Sequence, residues 1–222
     1  WLDGDVLFTN PDWARETASR LETAAIVQVF ETCHRLPASY APAEARGDVC
    51  LSFTGVVGGD AAFLRTANYE QHGHTGYGWA ARRDLLDRHG LYEYAIAGSA
   101  DHYMAHAAYG DLDSPCCLRM MYKGPRLVEH FRRWAEPFAR SVAGKVGTVP
   151  GEVLHLWHGD LDDRRYSQRH KEFGAFGFDP FLDLVARPGR PLERRLERFR
   201  PELEAWFASY FRARHEDGRQ AA

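Results

Sequence analysis

Trp1-Leu2-Asp3-Gly4-Asp5-Val6-Leu7-Phe8-Thr9-Asn10 is the stretch from which the fold is read. Asp3 and Asp5 stand one residue apart, between apolar Trp1-Leu2 and apolar Val6-Leu7-Phe8. The pattern is that of a buried strand running into a turn, with Gly4 supplying the bend. Two carboxylates at a strand end suit a hard divalent cation. Mg2+ and Mn2+ take oxygen ligands and leave positions open for phosphate oxygens. An isolated Asp-Gly-Asp also describes a solvated turn, so its weight depends on the rest of the chain.

The 222 residues are enough for one large domain or a domain and a half. An apolar share of 45% and a charged share of 27% match a soluble globular protein. The net charge of −3 offers no electrostatic footprint for nucleic acid. No apolar run approaches the roughly 20 residues that span a bilayer. The first residues do not read as a signal peptide. The expected setting is the cytoplasm, or the inner face of the membrane, with no transmembrane segment. The chain starts without Met and residue 1 already reads as strand. An N-terminal portion with further strands and a nucleotide pocket is therefore expected to be missing.

Cys33, Cys50, Cys116 and Cys117 form no CxxC pair, so free thiols in a reducing compartment are expected. Only Lys123, Lys145 and Lys171 are lysines among 28 basic residues. That arginine bias fits a GC-rich bacterial genome.

Asn10-Pro11 reads as N-cap and first helical position, with Trp13, Ala18 and Leu21 on the buried side of a short helix. Residues 24–30 are apolar nearly throughout and predict a central strand, with Glu31 and His34 at its end. Residues 35–76 read as a long excursion holding Pro37, Pro42, Gly47 and Gly73, with one strand over 49–57. Residues 82–89 predict a helix closed by Gly90. Ser99 is placed to cap a helix running to Gly110, with Asp101 in its first turn, where the dipole favours negative charge.

Leu127, Phe131, Trp134, Phe138 and Val142 predict an amphipathic helix over 126–143, kinked or split at Pro137. A strand over 153–158 stops at Gly159, and residues 160–173 read as helical. A turn at 177–180 leads to a short helix, and two amphipathic segments lie beyond it, over 192–199 and 201–214.

Three groups stand out: Asp3 with Asp5, Asp101 in Gly98-Ser99-Ala100-Asp101-His102, and His155 with His158 before Gly159. In this order, with Gly76-Tyr77-Gly78-Trp79 upstream of Asp101, they resemble the C-terminal half of a GT-A fold glycosyltransferase, close to the bacterial family-2-like enzymes. The resemblance covers roughly residues 1–180. It implies an α/β class and a Rossmann-like GT-A nucleotide-sugar fold lacking its N-terminal strands. The organisation it implies is a catalytic portion over 1–185 and a C-terminal helical extension over 186–222.

The implied activity is a metal-dependent, inverting transfer of a sugar from a nucleotide-diphosphate donor. The acceptor is a hydroxyl on a glycan, a lipid-linked molecule or another compound, and nucleic acid is not an expected partner. The resemblance makes Asp5 a ligand of Mn2+ or Mg2+. Asp3 binds the metal through water or holds the donor ribose. His155 or His158 completes the metal site and Asp101 is the general base. Tyr77, Trp79 and His102 form the implied substrate-binding set. Arg164, Arg165 and Tyr166 stand ready for the diphosphate, since arginine suits bidentate phosphate contacts.

Plain readings stand beside these. A Trp between glycines is often a core anchor, a first-turn Asp is often a cap, and an arginine-rich helix face is often solvated. In a continuing strand, His155 and His158 point to opposite faces, so both can bind one metal only if the strand ends before His158. A haloacid-dehalogenase-type phosphohydrolase also begins with a strand and Asp-x-Asp. It would use Asp162-Asp163 as its late acidic pair, but no lysine has a clear strand-end context. A non-catalytic carbohydrate-binding module is the third reading.

Overall fold

The computed structural model describes residues 1–39, 48–66, 71–122, 124–198 and 200–216. Pro42 and Gly47 of the expected excursion, Lys123, and Phe199 at the end of the first tail segment lie outside them. The class is mixed α/β, and the elements are β1 Val6–Phe8, α1 Trp13–Arg20, β2 Ile26–Gln28, β3 Thr32–Arg35, β4 Asp48–Leu51, α2 Phe53–Gly59, β5 Trp79–Ala81, α3 Arg83–His89, α4 Ala100–Ala108, α5 Pro115–Met120, α6 Pro125–Val142, β6 Val146–Thr148, β7 Glu152–His155, α7 Tyr166–Ala175, α8 Pro180–Asp183, β8 Leu184–Val185, β9 Glu193–Arg194 and α9 Pro201–Arg212.

Two small sheets share a corner. One has the order β5-β2-β6 and the other β1-β7-β3-β4. The chain passes directly from β2 into β3 and from β6 into β7, and β2 runs parallel to β6 as β3 does to β7. Two adjacent strands therefore bend together. Backbone bonds from Val149 N to Gln28 O and from Glu31 N to Gly151 O, each 2.9 Å, hold the crease. The N-terminal stretch tracks the same corner. Leu2 bridges to Gly78 beside β5, and β1 then pairs antiparallel with β7. Asp3-Gly4-Asp5 is thus the turn at the corner, as expected, but Trp1-Leu2 is an exposed segment joined through an isolated bridge and not a buried strand, because it lies along the outer edge beside β5.

The core lies on the helical side of the three-stranded sheet. Phe131, Ala135, Phe138 and Val142 of α6 are fully buried against Tyr92 and Tyr103. α6 is one helix through Pro137, so of the kink or split expected there the split does not occur. Pro137 removes one backbone bond, at a cost of about 3 kcal/mol. The apolar stripe on both sides of it offsets that, each large side chain being worth about 1.5–3 kcal/mol when buried.

Other expectations shift for local reasons. α1 begins at Trp13, because the Asn10 carboxamide accepts from Asp12 N at 2.9 Å and keeps Pro11 outside the helix. Thr17, not Ala18, is its buried residue. The strand expected over 49–57 stops at Leu51. The Ser52 hydroxyl accepts from Gly55 N at 3.0 Å and starts α2, which buries Phe53, Thr54 and Val57. Ser99 occupies the N-cap position of α4 in the left-handed region, with φ 69°, and makes no cap bond. Its hydroxyl bonds His170 Nε2 and accepts from Arg169, each at 3.0 Å.

β7 ends at His155, three residues before the expected end. The expected helix over 160–173 is a single 3-10 turn, Asp162–Arg164, and then α7. α5 was not anticipated. In the tail, residues 192–198 form β9 and a 3-10 turn, not an amphipathic helix. The C-terminal residues pack on the same core through Leu203, Trp206 and Phe207 of α9. Among the described residues, no helix is long and apolar enough to cross a membrane.

Candidate metal and catalytic site

The corner turn brings Asp5 against two histidines. His158 Nε2 lies 2.8 Å from Asp5 Oδ2, and His155 Nε2 lies 3.7 Å from Asp5 Oδ1. The two Nε2 atoms are 2.9 Å apart. Because β7 has ended at His155, the chain turns and His158 comes back to the same side, so both histidines converge. Asp5 Oδ1 is buried without a hydrogen-bond partner. An orphaned carboxylate oxygen facing two imidazole nitrogens is a donor set that fits a divalent cation.

Burial, opposed by Asp5 and reinforced by His158 and Arg164, brings His155 down to about 4. Burial and then Arg164 lower His158. Both rings are therefore neutral near pH 7, the form that binds metal. Burial first, then the charges of Asp101 and Asp5, raise Asp3 above its ordinary value. The three carboxylates thus lie close enough to repel one another, which favours a cation among them.

Asp3 is fixed by Tyr77, whose N–H donates to its Oδ2 at 3.2 Å. Asp101 is in the first turn of α4, and its Oδ2 accepts from Thr75 Oγ1 at 3.1 Å. The Thr75 carbonyl accepts from Trp79 Nε1 at 2.7 Å. The loop is anchored from below by buried Gln28, whose amide donates to the carbonyls of His74 at 2.8 Å and Gly76 at 3.3 Å. A Cβ on Gly76 would stand 3.2 Å from Asp101 Oδ2, so the loop and carboxylate touch closely. Tyr77 (φ 74°) and Ser99 (φ 69°) are non-glycine residues in the left-handed region on either side of Asp101. Such strain persists where surrounding contacts over-determine it.

Several expected substrate contacts are placed elsewhere. Trp79 is 2% exposed and stacks near Trp1, so it is a core anchor that positions Thr75. Tyr77 is buried, stacks on His74 at 4.0 Å and accepts from Arg35 at 2.9 Å. His102 is buried, with Nε2 3.1 Å from Cys116 Sγ, and faces away from the cleft. Arg164 does join the site, with Nη2 2.8 Å from His158 Nε2. Arg165 pairs with Glu172, and Tyr166 packs under the Arg169 guanidinium.

A cleft of about 440 Å³ opens beside the histidines, lined by Arg35, His155, Trp157, His158 and Arg164 among others. Trp157 is the aromatic residue the cleft offers, and Arg35 adds a second guanidinium; neither was singled out in the sequence. The cleft wall is braced by the tail. Tyr210 donates to the Arg164 carbonyl at 3.2 Å, and a Cβ on Gly159 (φ 94°) would meet Arg214 O at 2.7 Å.

A second cluster was also missed. His72, His102, His106 and Cys116 are all buried, and their ligand atoms lie within 4.8 Å of one another. Cys116 is held far below the usual thiol value by Cys117 and, against burial, by the three histidines. The available signal was the i, i+4 spacing of His102 and His106, which places both on one helix face.

No family model matches the chain, and neither the curated proteins nor the solved structures give a match.

Proposed function

We propose that the chain is a metal-dependent glycosyltransferase of GT-A type. It moves a sugar from a nucleoside-diphosphate donor to an acceptor hydroxyl with inversion. The observation that carries this reading is the meeting of Asp5, His155 and His158 at one point beside Asp3 and Asp101. Residues from both ends of the chain supply a cation site and an adjacent base, as such a transfer requires.

Asp5, His155 and His158, with Asp3 at hand, would hold a Mn2+ or Mg2+ ion, which would supply Lewis-acid stabilisation for the charge on the leaving diphosphate. Two imidazoles in the set disfavour Mg2+, which takes oxygen ligands. Asp101 removes the proton from the acceptor hydroxyl. The acceptor oxygen bonds to the anomeric carbon as the bond to the diphosphate oxygen breaks, from the opposite side. Arg164 and Arg35 line the cleft and give the diphosphate guanidinium partners. Trp157 offers the sugar or base a flat apolar face.

Among the described residues nothing favours a phosphohydrolase: Lys145 and Lys171 are exposed, and neither lines the cleft. The test is Mn2+-dependent release of nucleoside diphosphate from a panel of nucleotide sugars, with Asp5→Asn alongside. Turnover that needs Mn2+ and is lost in Asp5→Asn is expected. Full turnover in EDTA overturns the metal role.

A further inference from the structure

We propose that His72, His102, His106 and Cys116 bind a structural Zn2+ ion. This inference does not rest on the transferase reading.

The four residues come from three separate segments. His72 lies in the loop before β5, His102 and His106 are one turn apart on α4, and Cys116 is in α5. All three imidazoles direct Nε2 at one sulfur, with distances to Cys116 Sγ of 3.1 Å from His102, 3.3 Å from His106 and 3.6 Å from His72. A tetrahedron with Zn–N of about 2.0 Å and Zn–S of about 2.3 Å has N–S edges of about 3.5 Å. The three N–S distances lie close to such an edge, and all four ligand atoms lie within 4.8 Å of one another.

Proton accounting points the same way. His72 Nδ1 lies 3.0 Å from the Gly73 carbonyl, which can only accept, so that nitrogen carries the hydrogen. His106 Nδ1 lies 3.0 Å from Asp111 Oδ2 in the same sense. In each neutral ring Nε2 is then a bare lone pair aimed at Cys116. The Ser114 hydroxyl is also 2.8 Å from that sulfur. A thiol has a single hydrogen and a thiolate has none, so in neither form can Cys116 satisfy several lone pairs, whereas a cation satisfies them all. Histidine ligands oriented by a carboxylate and a carbonyl through the other ring nitrogen are the usual support of a metal site.

The chemistry selects zinc. Three imidazoles and one thiolate in a closed tetrahedron suit Zn2+ and exclude Mg2+ or Ca2+, which take oxygen ligands. His72, His106 and Cys116 are fully buried, so no position is open for substrate, and the role is structural. The ion would tie the 71–76 loop to α4 and α5.

The test uses the whole chain isolated without chelators. Metal analysis should find one zinc per chain. Zinc-edge X-ray absorption should show one sulfur at about 2.3 Å and nitrogens at about 2.0–2.1 Å. The double variant His155→Ala/His158→Ala should keep that zinc and its sulfur neighbour, which separates this site from the cleft. Cys116→Ser should lose it; if that variant fails to fold, the absorption result on the wild-type chain decides. A folded chain that holds no zinc after one-to-one titration overturns the proposal. So does bound zinc without a sulfur neighbour.

Discussion

Asp101 and His102 are consecutive on α4 and reach different partners. Asp101 Oδ2 accepts from Thr75 Oγ1 at 3.1 Å, next to Asp3, while His102 Nε2 points inward to Cys116 Sγ at 3.1 Å. One helical turn thus carries both a carboxylate near Asp3 and a member of the buried cluster. Whatever orders the cluster also orders the candidate base.

Asp101→Asn is expected to lower the catalytic rate by roughly 10²–10⁴-fold, the scale of a lost general base. Donor binding should change little, because the loss falls on the rate constant. Calorimetry of donor binding beside turnover checks this. Near wild-type turnover would place the base elsewhere.

His155→Ala and His158→Ala are each expected to weaken Mn2+ affinity. Their Nε2 atoms are 2.9 Å apart, close enough for one ion to meet both. A loss of about 10–100-fold is the scale seen when a metal's supporting residues are disturbed, and a lost ligand should cost at least that. Titration monitored by Mn2+ electron paramagnetic resonance measures it. Unchanged affinity in both variants would return them to plain structural histidines.

Trp79→Ala should cost stability of about 3–5 kcal/mol, as for other buried aromatics truncated to alanine. Trp79→Phe keeps much of the packing and removes only the bond to the Thr75 carbonyl, worth about 0.5–1.5 kcal/mol. Chemical denaturation gives both values. A variant of unchanged stability with weakened donor affinity would make Trp79 a sugar contact after all.

His170 predicts a pH dependence of folding. Burial, and then Arg169, push it down from an ordinary 6.5 to about 3. Below pH 6.5 the unfolded chain takes up a proton that the folded chain refuses. Its share of stability is full above about 6.5 and falls as pH drops toward 3, by up to about 1.4 kcal/mol per unit. His170→Gln should flatten the curve by that amount between about pH 6.5 and about pH 4.5. Denaturant midpoints across that range decide; parallel curves would mean that the buried ring is not the cause.

The sequence by itself determined the elements whose periodicity and punctuation agree. Residues 24–30 are apolar but for Gln28, enough to be central wherever they pair, and Gly90 closes α3 because its φ of 63° favours glycine. The apolar stripe of α6 likewise survives Pro137. Asp3, Asp5, His155 and His158 could be named as a set, since carboxylates and imidazoles at strand ends are conspicuous there.

Only the tertiary structure decided which side chains meet. Whether His158 joins His155 depended on β7 ending one residue after Leu154, a matter of pairing with β1 and β3. Whether Tyr77, Trp79 and His102 face solvent or core depended on the corner between the sheets and on α4 packing against α6. His72 and Cys116 are 44 residues apart, with no local pattern to join them. Local propensity acts over a turn of helix or a strand. A site assembled from distant segments is set by which faces the folded chain buries, and no short window of residues records that.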